Sequence, residues 1–160
     1  KYSKGKVSDI QIAYIGGGSE RMGGTFMMDL ALEDEISGTI RLYDIDRKAA
    51  QTNEVIGNHL MNRPEAKGDW KFEVKDSLKE VLTGCDFAVI SILPGTLMDA
   101  SDVHLPERLG IYQSVGDTAG PGGIIEAAHD PYVCRDRRGD QKYAPDCWVI
   151  NYTNPMPVCE

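Results

Sequence analysis

Three consecutive glycines, Gly16-Gly17-Gly18, stand directly behind the apolar run Ile10-Gln11-Ile12-Ala13-Tyr14-Ile15, and a carboxylate, Asp44, closes the next apolar run, Ile40-Arg41-Leu42-Tyr43. Bare backbone at the entry to a helix lets a pyrophosphate approach the N–H groups of the helix N-terminus, and a carboxylate at the following strand end accepts from a ribose hydroxyl. Asp44 lies about 20 residues beyond Gly24, near the offset expected of such a carboxylate. Its charge also repels a 2′-phosphate, which favours NAD over NADP. The glycine fingerprint is incomplete, because Arg21 takes the last position of GxGxxG counted from Gly16, with Gly23 and Gly24 coming slightly later. On these residues alone two explanations stand: a nucleotide cradle with a ribose ligand, or a tight turn that needs left-handed glycines beside a solvated aspartate.

Further candidates lie downstream. Asn154, before Pro155, offers a donor and an acceptor at a strand end, which suits a sugar or acid hydroxyl, and it equally suits a plain Asn-Pro turn. Asp117, between Gly116 and Thr118, faces a substrate or ties its own turn through an Asx bond. His59, His104 and His129 have no companion at metal-ligand spacing. Cys85, Cys134, Cys147 and Cys159 contain no CxxC pair, so neither a zinc knuckle nor a disulfide framework is indicated, and buried thiols are expected.

The elements that must position these residues alternate. A strand at Ile10–Ile15 leads through the glycines to a helix from about Ser19 to Glu35, whose Met22, Phe26, Leu30 and Ala31 share one face. A strand at Thr39–Asp44 follows, and Asp46 is placed to cap a helix that runs through Ala49, Val55, Ile56 and Leu60 before Pro64. Next come a strand at Trp70–Val74, a short helix from Asp76 to near Gly84, and a strand at Phe87–Ile92 whose lack of polar alternation implies cover on both faces. Pro94-Gly95 ends that strand at its carboxyl end, where open α/β sheets bind ligands. A helix at Met98–Leu109, a glycine-rich loop at Ser114–Gly123, a helix from about Ile124 and a buried strand at Trp148–Tyr152 complete the pattern. Strands alternating with helices specify an α/β fold with a doubly wound parallel sheet, a Rossmann-type NAD-binding domain spanning residues 1–160.

With 160 residues, 41% hydrophobic and 26% charged, the chain matches one soluble domain with an ordinary core. No apolar run approaches the ~20 residues of a membrane span, and no signal-peptide core follows Lys1–Lys6, so a cytoplasmic location is the default. A net charge of −8 argues against nucleic acid, since the one dense basic stretch, Arg135 to Arg138, is interrupted by Asp136.

Five ordered blocks together resemble a known family. They are Ala13-Tyr14-Ile15-Gly16-Gly17-Gly18-Ser19, Leu42-Tyr43-Asp44-Ile45-Asp46, Asp86-Phe87-Ala88-Val89-Ile90-Ser91-Ile92, Gly116-Asp117-Thr118-Ala119-Gly120-Pro121-Gly122-Gly123 and Asn151-Tyr152-Thr153-Asn154-Pro155-Met156. The set resembles the N-terminal half of glycoside hydrolase family four, and its fourth and fifth blocks look most like the α-galacturonidase-type members. The resemblance implies a redox route outside the two-carboxylate scheme of most glycosidases. NAD+ oxidises C3 of the sugar, a base removes the acidified C2 proton while a divalent metal, commonly manganese, polarises the carbonyl, the aglycone is eliminated, water adds and the hydride returns.

Carried over by position, the resemblance implies that Gly16, Gly18 and Ser19 cradle the pyrophosphate and Asp44 holds the adenosine ribose. Ser91 and Pro94 would line the cofactor groove, Asn154 would contact sugar hydroxyls, and Asp117 would lie on the substrate side. The family's metal-binding cysteine and histidine and its tyrosine base come later than Glu160, so no catalytic residue and no metal ligand is expected within this chain. The expectation is therefore the N-terminal part of a longer homo-oligomeric enzyme, inactive by itself. Two other readings remain: a 2-hydroxy-acid dehydrogenase of the lactate and malate type, which leaves the Gly-Pro-Gly-Gly loop unexplained and lacks an arginine between Gly95 and Arg108, and a non-enzymatic NAD-sensing module.

Overall fold

The computed structural model describes residues 1–3, 5–92, 104, 106–112 and 142–153. The chain forms two compact units, Lys1–Ser91 with Gly139–Ile150, and Ile92–Arg138 with Asn151–Glu160. The first opens with β1 (Tyr2–Ser3) and β2 (Lys6–Ile15), an antiparallel pair joined through Gly5, and continues with α1 (Glu20–Leu32) and β3 (Ile36–Tyr43). It goes on through α2 (Arg47–Met61), β4 (Asp69–Val74), α3 (Leu78–Leu82) and β5 (Phe87–Ile90) to β6 (Trp148–Asn151). The strand order is β4-β3-β2-β5-β6, with β4, β3, β2 and β5 mutually parallel. This is the doubly wound arrangement expected from the alternating pattern, and it places the first parallel strand in the interior of the sheet.

Side-chain alternation divides the sheet into two faces. Register aligns Ile12 with Ile40 and Phe87, and Tyr14 with Leu42 and Val89. These side chains form the main core with Met27 and Leu30 of α1, Ala50 of α2, and Trp70 and Phe72 of β4. On the other face Ala13, Ile15, Ala88 and Ile90 are buried together with Val81 and Leu82 of α3. Toward β4 that second face turns polar. Arg41 donates to Thr83 O at 2.6 Å and to Gln11 Oε1 at 2.7 Å, tying β3 to the end of α3 and to β2. Neighbouring Glu73 is held by Lys71 and Lys75, whose hydrogen bonds lower its carboxyl pKa to about 2.

Strand β4 is an edge, and α2 closes it. Asn58 Nδ2 donates to Phe72 O at 2.9 Å, Asn58 Oδ1 accepts from Phe72 N at 3.0 Å, and Glu54 Oε1 accepts from Val74 N at 3.1 Å. Backbone groups that would otherwise invite another strand are thereby satisfied.

Two expectations are corrected here, the extent of the first strand and the burial of the strand at Trp148. The first strand is longer than Ile10–Ile15 and is preceded by a hairpin. The helix expected through Ala49, Val55, Ile56 and Leu60 is α2, which leaves Val55 and Ile56 exposed and buries Ala50, Asn53 and Gly57. The helix lies so close to β4 that a Cβ on Gly57 would sit 2.7 Å from the Phe72 ring, so only small side chains fit the seam. The strand at Trp148 is not buried, since Trp148, Val149 and Ile150 are all exposed. It lies at the end of the sheet remote from β3 and β4, against which α2 packs.

In the second unit the described residues place Thr153 in a buried position. Its Oγ1 accepts from Ile92 N at 3.1 Å, and its own N–H donates to Asn151 Oδ1 at 2.8 Å.

Candidate functional site

The turn between β2 and α1 is built from its glycines. Gly16 has φ +88°, the left-handed region that glycine adopts without strain. Its N–H and that of Gly17 both donate to Tyr43 O at 2.9 Å, and Ser19 N donates to Gly16 O at 3.1 Å. At Gly18 a Cβ would lie 2.8 Å from Asp44 Oδ2 and 2.9 Å from Ala49 Cβ. The chain therefore runs hard against the end of β3 and the start of α2, with no room for a side chain.

Asp44 completes that contact. Its Oδ2 accepts from Gly18 N at 2.9 Å and its Oδ1 from Asp46 N at 2.8 Å. Asp46 caps α2, accepting from Lys48 N at 3.0 Å and Ala49 N at 3.2 Å, as expected of it. Each carboxylate oxygen has a second lone pair, so a half-buried Asp44 that secures the turn keeps acceptor capacity for a diol.

The N–H groups of Gly16, Gly17 and Gly18 are engaged by Tyr43 O and Asp44, and that of Ser19 by Gly16 O. The donors left for an anion are those at the start of α1, where helix geometry leaves N–H groups without intrahelical partners and the macrodipole adds partial positive charge. The glycines contribute close approach, and the helix contributes the donors. A bare glycine turn packed on the strand end, a helix N-terminus and a carboxylate at the next strand end fit a dinucleotide.

The structure brings Gly16, Gly18, Ser19, Asp44 and Ser91 to one end of the first unit. Ser91 N donates to Ile15 O at 2.9 Å, which sets Ser91 beside the glycine turn. Pro94, Asp117, Asn154, the loop at 116–123, His129, Cys134 and Cys159 lie outside the described residues. His59 is exposed on α2, and His104 is exposed with Nδ1 3.2 Å from Glu107 Oε2. Cys85 is buried and Cys147 half-buried. Among the described residues no group of three or more His, Cys, Asp or Glu is placed to hold a metal, and no helix is long and apolar enough to cross a membrane.

One residue of this region was not singled out from the sequence. Asn53 is 6% exposed and donates from Nδ2 to Gly17 O at 2.8 Å and to Ser19 O at 3.1 Å. The available signal was a polar residue at i+3 from Ala50 and i−4 from Gly57, on a face otherwise made of small residues.

Comparison with known proteins gives a consistent result. The model of the family 4 glycosyl hydrolases matches residues 11–160. An alpha-galacturonidase from Lachnoclostridium phytofermentans is 55% identical over 99% of this chain and 34% of its own length. The crystal structure of lplD from Bacillus subtilis, described as a glucosidase, superposes with a TM-score of 0.85 at 53% identity, covering 95% of this chain and 34% of that one. A 6-phospho-beta glucosidase from Thermotoga maritima, solved with manganese, NAD+ and glucose-6-phosphate, shares the fold at TM-score 0.72 and 23% identity, over 91% of this chain and 34% of its own. The chain thus spans about a third of the length of the curated relatives it matches.

Proposed function

This chain belongs to glycosyl hydrolase family 4, and from that premise we propose that the whole protein hydrolyses α-linked galacturonides with NAD+ and a divalent metal, manganese in the first instance. The observation that carries the cofactor part is the meeting of Gly18 N–H, Asp44 and the start of α1 at one strand end. The substrate part rests on identity to an alpha-galacturonidase across nearly the whole of this chain.

Bound NAD+ would supply a hydride acceptor that is restored within each turnover. The work of these residues is to hold and orient it. Gly16, Gly18 and Ser19, with the N-terminal N–H groups of α1, would hold the pyrophosphate. Asp44 accepts from the adenosine ribose with the lone pairs that the turn leaves over, and its charge disfavours a 2′-phosphate. Ser91 and Pro94 would line the groove, while Asn154 and Asp117 would serve the sugar side. Residues 1–160 are the dinucleotide-binding part, and metal ligands and proton-transfer groups belong to the remainder of the protein.

The direct test uses the full-length protein with a chromogenic α-galacturonide in D2O, with and without NAD+ and Mn2+. Cleavage that requires both and leaves deuterium at C2 of the product is expected. Cleavage that persists after removal of the cofactor, or product without deuterium at C2, contradicts the proposal. A lactate- or malate-type dehydrogenase would instead accumulate NADH with a 2-hydroxy acid.

A further inference from the structure

Asn53 occupies a position on α2 where a buried helix face ordinarily carries carbon. A buried amide must have its donors met, and here the glycine turn meets them through the carbonyls of Gly17 and Ser19. Ser19 O also accepts from Gly23 N at 3.2 Å, so one carbonyl is shared between α1 and the α2 amide. Gly23 is small for the same reason, because a Cβ there would lie 3.0 Å from Asn53 Nδ2. The two helices approach each other around this side chain.

The amide therefore grips the turn from below, on both sides of Gly18, while Asp44 grips Gly18 N–H from β3. In a trans peptide the N–H points opposite to its C=O. Drawing the Ser19 carbonyl toward α2 turns the Glu20 N–H, at the start of α1, away from α2 and out of the turn. We infer that Asn53 is a positioning residue for the dinucleotide site, acting through the turn: it fixes the peptide planes that aim the first donors of α1 at the pyrophosphate. This rests on the dinucleotide reading above. It also explains why the glycine that the GxGxxG spacing lacks at Arg21 is supplied at Gly23, where the α2 amide needs the space.

The test is calorimetric titration of NAD+ into the full-length protein, accompanied by thermal melting. Wild type should bind; a wild type that binds no NAD+ overturns the cofactor reading and this inference with it. In Asn53→Ala the dissociation constant should rise about tenfold, the scale of losing hydrogen bonds to otherwise buried acceptors, with the loss appearing in KM for NAD+ rather than in kcat. A lower melting temperature with the NAD+ dissociation constant unchanged would make Asn53 merely structural and overturn the inference while leaving the cofactor reading intact. Gly23→Ala guards against a variant that fails to fold: it presses a methyl group on the amide and should weaken NAD+ binding in the same sense, and an unchanged constant there counts equally against the inference. In the Asn53→Ala background the added methyl finds space, so its further effect should be small, the non-additivity expected of residues in contact.

Discussion

At the scale of single residues, Asp44 secures the turn with the same carboxylate that we propose as the ribose ligand. The spacing behind the glycines marked it as a ribose ligand, and the structure adds that the same group ties Gly18 N–H and Asp46 N–H. Asp44→Asn removes the charge and keeps one amide oxygen for Gly18 N, while its NH2 cannot accept from Asp46 N, so the melting temperature is read beside the affinity. In the full-length protein this change should weaken NAD+ binding about tenfold, in keeping with hydrogen bonds to a charged acceptor. It should also narrow the preference for NAD+ over NADP+, measured by titrating both. Unchanged affinity together with unchanged preference would remove Asp44 from the ribose. Asn53 was not legible beforehand because its contacts are to the Gly17 and Ser19 carbonyls of the glycine turn, and sequence spacing within α2 carries no information about that.

Among the elements, those with a strong local signal were placed: the strand ending before Gly16, though it begins earlier than Ile10, the helix after it, the cap at Asp46, and the strand read at Trp70–Val74, which spans Asp69–Val74. The faces were harder. The largest apolar residues of α2, Val55 and Ile56, are exposed, and its buried positions are Ala50, Asn53 and Gly57, the last lying so close to the Phe72 ring that no Cβ fits. An apolar run such as Trp148-Val149-Ile150 likewise reveals strand propensity and says nothing about whether a layer covers it. The irregularity early in β2 was also invisible. Asp9 has φ +63°, the β2–β3 register shifts between Val7 and Ile10, and a Cβ on Gly38 would run into Ile10 O. Gly38→Ala should therefore destabilise the protein by about 2 kcal/mol or more, the range of overpacking against an unyielding backbone, read as a lower denaturation midpoint. A variant as stable as wild type would show that the bulge is not a tight contact.

For the whole molecule, the central claim is that a doubly wound sheet brings one helix N-terminus, one bare turn and one carboxylate to a common point that holds an adenine dinucleotide. The order of strands makes this possible: β2 and β3 are adjacent and parallel, so the turn after Ile15 and the carboxylate after Tyr43 leave the sheet side by side. That juxtaposition was legible in the sequence, whereas Asp117 and Asn154, proposed for the sugar side, lie outside the described residues. The most direct measurement is the electron density of full-length crystals soaked with NAD+. The diphosphate should lie over Gly18 at the start of α1, with the adenosine ribose hydroxyls on Asp44. Nucleotide bound at another place, or that crevice filled by the protein's own side chains after soaking, would contradict the claim.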